Sequence, residues 1–119
     1  EALRQAEQPR MAVLSARVGS IGDNHLGGWY SYRASKAALN MMLQCASVEF
    51  GRLNKSAQIL AFHPGTVDTP LSEPFQRGVP EGKLFTPEFV AGRLVELLED
   101  APTTERLQYL DWDGKPIPF

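Results

Sequence analysis

A tyrosine and a lysine four residues apart are the side chains of this sequence best suited to proton transfer. Tyr32 and Lys36 lie in a stretch with helical periodicity, and residues four apart on a helix lie on the same face. A nearby ammonium favours the phenolate form of a tyrosine, which suits the phenol to exchange a proton with a carbonyl or alcohol oxygen. The same spacing is also typical of solvated surface pairs, so the surrounding elements must decide between the two interpretations.

The elements predicted around Tyr32 form a strand, loop, helix and strand. Residues 11–15 and 57–62 are short apolar runs, typical of strands that are buried on both faces of a parallel sheet. Between them lie a glycine-rich loop at residues 18–28 and a long helix at residues 29–52. A helix that links two neighbouring strands makes them parallel, and ligands of such sheets bind at the carboxyl ends of the strands. Tyr32 is expected at that edge.

The rest of the chain predicts one more helix and one more strand. Residues 70–85 contain three prolines and two glycines, which predicts an irregular or partly helical surface excursion of the kind that often covers a site. Thr86 and Pro87 supply an N-cap hydroxyl and a first-turn proline for a helix that runs to about residue 100. Residues 107–112 form the last strand. The expectation is one partial α/β domain over residues 1–119, with about three strands and two main helices in three α/β/α layers.

Composition and charge exclude several classes of function. Hydrophobic residues make up 43% and charged residues 22%, which is ordinary for a water-soluble globular protein. The formal net charge of -2 gives no basic field for nucleic acid or anionic membranes. No apolar run reaches the roughly 20 residues that span a bilayer, and no signal-peptide pattern is present, so a cytoplasmic location is expected.

Other side chains that could react or bind are assigned structural roles. Cys45 is the only cysteine, so no internal disulfide is possible, and it is predicted to pack. His25 and His63 have no acidic or cysteine partner at ligand spacing, so no metal site is predicted. Trp29 and Tyr30 could shape a substrate pocket beside Tyr32, but aromatic residues at a loop-to-helix junction more often pack in the core or at an interface, and packing is predicted for both.

Three segments resemble active-site segments of the short-chain dehydrogenase/reductase family. The string GWYSYRASKAALN at residues 28–40 resembles the family's Tyr-x-x-x-Lys helix, and HPGTVDT at residues 63–69 resembles its Pro-Gly motif. LSARVGSIG at residues 14–22 resembles the segment that carries the family's catalytic serine, and DWDG at residues 111–114 resembles the ending of its C-factor and sniffer-like carbonyl reductase branch. The resemblance covers essentially the whole chain and implies the C-terminal half of a Rossmann-type, doubly wound parallel sheet.

The resemblance also implies a role for each matching residue. Tyr32 would be the general acid or base, and Lys36 would assist it and hydrogen-bond the nicotinamide ribose. The residues implied to lie along the nicotinamide are Pro64, Gly65, Val67 and Thr69. The implied cofactor is NAD or NADP, and the implied substrate is a small carbonyl or alcohol compound.

The catalytic serine is where the sequence departs from the family pattern. The family places it three residues before a glycine, and that position is Ala16 here, with Ser15 displaced by one. A shift of one residue turns a strand side chain to the opposite face, unless the strand ends or bulges there. Ser15 is one candidate for the donor that stabilises the developing oxyanion, and Ser20 in the loop is the alternative.

The glycine-rich turn that cradles a dinucleotide pyrophosphate does not occur in the sequence. Cofactor binding is therefore expected to need an N-terminal dinucleotide-binding half. Family members often pair through the helix at residues 29–52 and the helix before it. The resemblance therefore implies a homo-oligomer, or association with the missing N-terminal half, with Met41 and Met42 packing along the helix or against a partner subunit. The leading hypothesis is an NAD(P)-dependent oxidoreductase that transfers hydride between a nicotinamide and a carbonyl or alcohol. The alternative is a catalytically inactive truncated module that acts in dimerisation or interaction.

Overall fold

A parallel sheet with a helix on each face forms the centre of the molecule. The computed structural model describes residues 1–101 and 106–119, except for the side chain at position 3. In chain order the elements are α1 (Ala2–Gln5), β1 (Arg10–Leu14), α2 (Tyr30–Leu53), β2 (Gln58–His63), β3 (Thr66–Val67), β4 (Leu84–Phe85), α3 (Pro87–Glu99) and β5 (Leu107–Asp111). Short 3-10 helices lie at Arg17–Gly19 and Glu73–Gly78.

The main sheet has the order β1, β2, β5, and both strand pairs are parallel. Ile59 of β2 pairs with Met11 on one side and Leu107 on the other. The predicted parallel strands are therefore confirmed, each within one residue of its expected bounds. β1 is less buried than predicted, because within the described residues it lies at an edge of the sheet and its last residue, Leu14, is exposed.

Alternate residues of β2 build two separate hydrophobic clusters. Ile59 and Ala61 pack with Leu43 of α2 on one face, while Leu60 and Phe62 pack with Val90 of α3 on the other. Side chains alternate between the two faces of a strand, so α2 and α3 lie on opposite faces of the sheet. This confirms the three-layer α/β/α architecture. Complete burial of each large apolar side chain stabilises the fold by roughly 1.5–3 kcal/mol.

Helix α2 packs on the sheet through small and polar residues as well as through Leu43. Its buried residues recur at spacings of three and four and are Asn40, Leu43, Ser47 and Gly51. Cys45 is exposed, so the prediction that it packs is wrong. Met41 and Met42 are also exposed in this chain, because they lie on the side of α2 that faces away from the sheet.

The excursion at residues 70–85 contains structure that the sequence did not indicate. β3 and β4 form a small two-stranded parallel sheet, which joins the end of this excursion to the segment after β2. The helix start predicted after it is confirmed. The side chain of Thr86 accepts a hydrogen bond from the backbone N–H of Phe89 at 3.2 Å, as an N-cap residue should.

The loop after β1 is fastened to the C-terminal tail. The Ser20 hydroxyl donates to the carbonyl of Pro118, and the N–H of Gly22 donates to the carbonyl of Phe119 at 3.1 Å. Phe119 in turn packs on Tyr109 of β5, with ring centroids 5.2 Å apart. This loop is therefore held in place at the carboxyl edge of the sheet. In the described part of the chain, no helix has the length and apolar character needed to cross a membrane.

Candidate active site

Tyr32 and Lys36 lie in the first two turns of α2, beside the carboxyl end of β1. The Lys36 ammonium lies 6.0 Å from the centroid of the Tyr32 ring. The same ammonium donates a 3.2 Å hydrogen bond to the backbone carbonyl of Leu14, the last residue of β1. Tyr32 is 45% exposed, so its phenol is accessible to a molecule that approaches from solvent. The structure thus brings the two predicted residues together, with the lysine fixed to the strand and the tyrosine open.

Two glycine features set the position of α2 against the loop. A Cβ on Gly19 would lie 2.7 Å from the Cβ of Lys36 and 2.8 Å from its backbone carbonyl carbon, so only glycine allows this approach. Gly27 and Gly28 have φ values of 65° and 68°, a conformation that favours glycine. The Arg33 guanidinium donates to both of their carbonyls, at 3.2 and 3.0 Å, and ties the loop to the first turn of α2.

Ser15 is buried, and its hydroxyl is engaged with α2. Its hydroxyl donates a 2.6 Å hydrogen bond to Oδ1 of Asn40, and both residues are only 4% exposed. The Tyr109 phenol lies next to this pair and donates to the carbonyl of Ala16 at 2.5 Å. Burial raises the pKa of Tyr109, while the neighbouring polar side chains of Asn40 and Ser15 act in the opposite direction. The end of β1 therefore rests on a buried polar cluster.

Ser20 is likewise engaged in the loop itself. Its hydroxyl donates to Pro118 and accepts a hydrogen bond from the N–H of Asp23 at 2.9 Å. A serine has one O–H to donate. In this structure, Ser15 donates it to Asn40 and Ser20 donates it to Pro118, so neither serine directs its O–H at Tyr32.

The segment after β2 lies at the same edge of the sheet. Gly65 has a φ of 74°, and a Cβ there would lie 2.8 Å from the ring of Phe85, so a side chain is excluded at this turn. The carbonyl of Val67 accepts hydrogen bonds from Ser72 at 2.5 Å and, more weakly, from Thr69 at 3.4 Å. Pro64 precedes this turn and is partly buried. The predicted residues 64–69 are thus held in one turn by contacts with the excursion.

A buried ionic group lies near this turn. Asp111 accepts hydrogen bonds from the backbone N–H groups of Asp113 and Lys115, at 3.0 and 2.9 Å. It also forms an ion pair with the Arg17 guanidinium, at 2.8 Å. His63 pairs with Asp111 across the sheet. Burial, with a smaller contribution from Arg17, lowers the pKa of His63 from 6.5 to about 4, and Asp111 opposes this shift. The His63 imidazole is therefore neutral near pH 7, and its largely buried position between strands suits a packing role.

Metal ligands are not clustered in the part of the chain that the structure describes. Over residues 1–101 and 106–119, no group of three or more His, Cys, Asp or Glu side chains could hold an ion. His25 is exposed in the loop.

Trp29 is a neighbour of Tyr32 that sequence reasoning assigned to packing. Its indole lies 6.2 Å from the Tyr32 ring and 5.9 Å from the ring of Phe75, which belongs to the excursion. Both Trp29 and Phe75 are exposed, so they do not pack in the core of this chain. The Gly-Gly-Trp sequence before the helix carried a signal of unusual backbone, but nothing in the sequence indicated that Phe75 would meet it.

No family model matches the chain. Several curated relatives do. The chain is 38% identical over 109 residues to 1-hydroxy-2-glutathionyl-2-methyl-3-butene dehydrogenase of Rhodococcus sp. strain AD45, a match that covers 88% of the chain and 45% of the relative. It is 33% identical to C-signal of Myxococcus xanthus, covering 98% and 65%. It is 34% identical to benzil reductase ((S)-benzoin forming) of Bacillus cereus, covering 66% and 37%.

Solved structures give the same picture. The NADPH-bound carbonyl reductase from chicken fatty liver superposes with a TM-score of 0.78 at 27% identity, covering 98% of this chain and 48% of that one. A carbonyl reductase from Pseudomonas aeruginosa PAO1 gives 0.73 at 28% identity, covering 96% and 45%. The chain spans about half the length of the curated relatives and solved structures that it matches.

Proposed function

This chain belongs to the short-chain dehydrogenase/reductase family, and on that basis we propose that it supplies the proton-transfer part of an NAD(P)-dependent carbonyl reductase or alcohol dehydrogenase. The observation that carries the proposal is the arrangement of Tyr32 and Lys36. An accessible phenol lies one helical turn from an ammonium that a strand carbonyl holds in place. Dehydrogenases and reductases among the relatives support this class of reaction for the whole protein.

In the direction of reduction, Tyr32 donates its phenolic proton to the carbonyl oxygen of the substrate. The oxygen becomes the hydroxyl of the alcohol product, and the carbonyl carbon gains the hydride that a bound nicotinamide supplies. The Lys36 ammonium stabilises the phenolate that remains on Tyr32. In the direction of oxidation, the Tyr32 phenolate removes the alcohol proton. Positioned acid–base groups of this kind contribute typically about 10²–10⁴-fold to rate.

The residues at the carboxyl edge fit the nicotinamide end of such a cofactor. Lys36 has three N–H donors, and among the described residues one of them is used at Leu14, so others can reach ribose hydroxyls. The turn at residues 64–69 offers a backbone surface next to the same edge, with Pro64, Gly65, Val67 and Thr69 as the proposed contacts. Either NAD or NADP is compatible with these contacts, and solved relatives hold NADPH or NADP.

The pyrophosphate end of the cofactor needs a glycine-rich turn that this sequence lacks. We propose that residues 1–119 are the catalytic part of a larger domain, whose dinucleotide-binding part corresponds to the remaining half of the relatives. The chain covers only 37–65% of the three curated relatives, which supports this view.

Neither Ser15 nor Ser20 is proposed as the donor to the substrate oxygen. Ser15 is proposed to position the end of β1 against α2 through Asn40, because its hydroxyl is buried and directed there. Ser20 is proposed to hold the loop to the C-terminal tail. Tyr32 is then the hydroxyl proposed to meet the substrate.

A second candidate function is supported by the outward face of α2. Met41 and Met42 are 64% and 61% exposed, and large apolar side chains in a cluster are typical of interaction surfaces. The chain would then act as a non-catalytic module that pairs through α2. Sedimentation of the wild-type protein and of a Met41→Lys, Met42→Lys double variant tests this candidate. A dimer that becomes a monomer supports pairing through α2, and an unchanged mass argues against it.

The experiment for the leading proposal is a titration with NADPH and with NADH, followed by nicotinamide fluorescence. It compares residues 1–119 with the full-length protein expressed from its natural gene. We expect the full-length protein to bind a nicotinamide cofactor and to oxidise it when a carbonyl compound is added. Binding by residues 1–119 alone would contradict the larger-domain proposal. If the full-length protein neither binds nor oxidises a nicotinamide cofactor, that result would contradict the proposed enzyme activity. The pairing module would then be the remaining candidate.

A further inference from the structure

We propose that Trp29 and Phe75 form an aromatic shelf beside Tyr32 that selects carbonyl substrates with a planar aromatic group next to the reacting carbonyl. The inference rests on the proposed function, because it assumes that Tyr32 meets the substrate oxygen.

The rings of Trp29, Tyr32 and Phe75 lie close together. The Trp29 indole contacts both other rings, at centroid distances of 6.2 Å to Tyr32 and 5.9 Å to Phe75, with tilts of 50° and 56°. These values lie within the range of about 4.5–7 Å over which aromatic rings attract each other. A carbonyl that accepts a proton from Tyr32 can therefore place one of its two substituents against the indole.

The two rings of the shelf are open to solvent. Trp29 is 59% exposed and Phe75 is 63% exposed, although each contacts a neighbouring ring. Aromatic side chains usually gain most of their stabilisation from burial, so two of them left open beside an accessible phenol provide apolar surface for a ligand. A flat, uncharged group that lies on the shelf would cover this surface.

A second aromatic cluster, around Phe85 and Trp112, is covered where the shelf is open. Phe85 and Trp112 pack 4.4 Å apart, and both contact the hydrophobic cluster around Phe62 and Val90. Lys83 lies over the Trp112 ring at 4.6 Å. That cluster already has covering groups on several sides, whereas the shelf has open ring faces.

The backbone at Trp29 has an unusual conformation. Its φ of 52° and ψ of 39° are left-handed, and it is the only non-glycine residue with positive φ among residues 1–101 and 106–119. A bulky residue in this conformation is a genuine outlier, and such strain persists where the surroundings enforce it, commonly at ligand sites. Two left-handed glycines before Trp29 and the Arg33 hydrogen bonds to them supply that enforcement.

Steady-state kinetics on the full-length protein test the shelf with two diketones that share the same reacting group. One is phenyl methyl diketone and the other is diacetyl, which has a methyl in place of the phenyl. We expect Trp29→Leu and Phe75→Leu each to reduce the ratio of kcat/KM for the aromatic over the aliphatic diketone by about tenfold, mainly through KM. Matched controls are Tyr30→Leu and Leu71→Ala, which alter exposed apolar side chains nearby and should leave the ratio within about twofold.

Binding without turnover provides the second measurement. Residues 1–119 contain two tryptophans, so within these residues Trp112→Phe leaves only Trp29, and its fluorescence reports on the shelf. We expect phenyl methyl diketone to quench this fluorescence more strongly than diacetyl, and Phe75→Leu to weaken the difference.

The outcomes separate the shelf from the proposed function. An unchanged selectivity ratio in Trp29→Leu and Phe75→Leu, with reduction abolished in Tyr32→Phe, would overturn the shelf and leave the reductase proposal standing. A wild-type protein that reduces no carbonyl would contradict the proposed function, and the quenching experiment would still decide whether the shelf binds aromatic carbonyl compounds. Equal quenching by both diketones would overturn it.

Discussion

The Ser15 hydroxyl donates a 2.6 Å hydrogen bond to Asn40 Oδ1, and both side chains are almost completely buried. Asn40 lies two helical turns beyond Tyr32 on the same row of α2, which corresponds to about 12 Å along the helix axis. This bond therefore fastens the residue after β1 to a position of α2 that lies two helical turns beyond Tyr32. It also explains how a serine can follow the strand without serving the reaction.

Replacement of Ser15 by alanine is expected to reduce stability and leave catalysis largely intact. The variant removes the partner of Asn40, whose Nδ2 already has no hydrogen-bond partner in the described part of the chain. A buried amide with fewer partners costs about 1–3 kcal/mol, so urea unfolding of Ser15→Ala should show a loss of this size. Its kcat should stay within about threefold of the wild-type value, because its hydroxyl does not reach the substrate.

Ser47→Ala is the matched control for that variant. Ser47 is equally buried on α2, but its hydroxyl donates to the carbonyl of Gln44 within the same helix. Its loss should cost less, about 1 kcal/mol or under. A fall in kcat of about 10²–10³-fold in Ser15→Ala would mean that Ser15 is an oxyanion donor after all.

Gly19→Ala is expected to damage both stability and activity. The new methyl group would lie 2.7 Å from the Cβ of Lys36, so the loop or α2 must move, at a cost of about 1–3 kcal/mol. The shift also displaces Lys36 from Leu14, which lowers kcat. The control is Gly92→Ala in α3, where a methyl group has open space and should stabilise the helix by about 0.5–1 kcal/mol. Wild-type activity in Gly19→Ala would contradict the requirement for this close approach.

At Trp29, glycine is expected to give a more stable protein than alanine. Both substitutions remove the indole, so their difference reports on the left-handed backbone alone. Glycine should be favoured there by roughly 1 kcal/mol in thermal or urea unfolding. The exposed helical position Ser35 is the control, because alanine should be favoured over glycine there by about 0.5–1 kcal/mol. If alanine gave the more stable protein at both positions, the backbone at Trp29 would not be strained.

Stability should fall as the pH falls from 6.5 toward 4, because of His63. The pKa of this buried imidazole is about 4 in the folded protein, against 6.5 for a solvated histidine, so the unfolded chain binds the extra proton in that window. Full stabilisation is present above pH 6.5, and about 3 kcal/mol at most is lost by pH 4. The comparison is urea unfolding of wild-type protein, His63→Gln and the exposed His25→Gln at both ends of the window. Between pH 6.5 and pH 4, His63→Gln should lose less unfolding free energy than the other two proteins. An equal loss in all three would contradict the role of His63 in this pH dependence.

The main elements of the fold were predictable because they depend on local patterns. Two apolar runs, a long periodic helix between them and the cap at Thr86 correspond to β1, β2, α2 and α3. The pairing of β3 with β4 was not predictable, since each strand has only two residues and no periodicity can show in so short a segment.

The candidate site was predictable only in part. The spacing of Tyr32 and Lys36 already indicated a shared helix face. The contact between Lys36 and Leu14 depends on how the loop closes, and the contact between Trp29 and Phe75 joins segments more than forty residues apart. The exposure of Cys45 was predicted wrongly, because the spacings of three and four that mark a helix do not reveal which face meets the sheet.

The most direct test of the central claim is the turnover of Tyr32→Phe in the full-length protein, with nicotinamide oxidation followed in the presence of a carbonyl substrate. Tyr30→Phe is the control, since it removes a neighbouring exposed phenol hydroxyl. We predict that Tyr32→Phe lowers kcat by about 10²–10⁴-fold while nicotinamide fluorescence still reports cofactor binding, and that Tyr30→Phe keeps wild-type turnover. A Tyr32→Phe variant that turns over at the wild-type rate would contradict the assignment of Tyr32 as the proton donor.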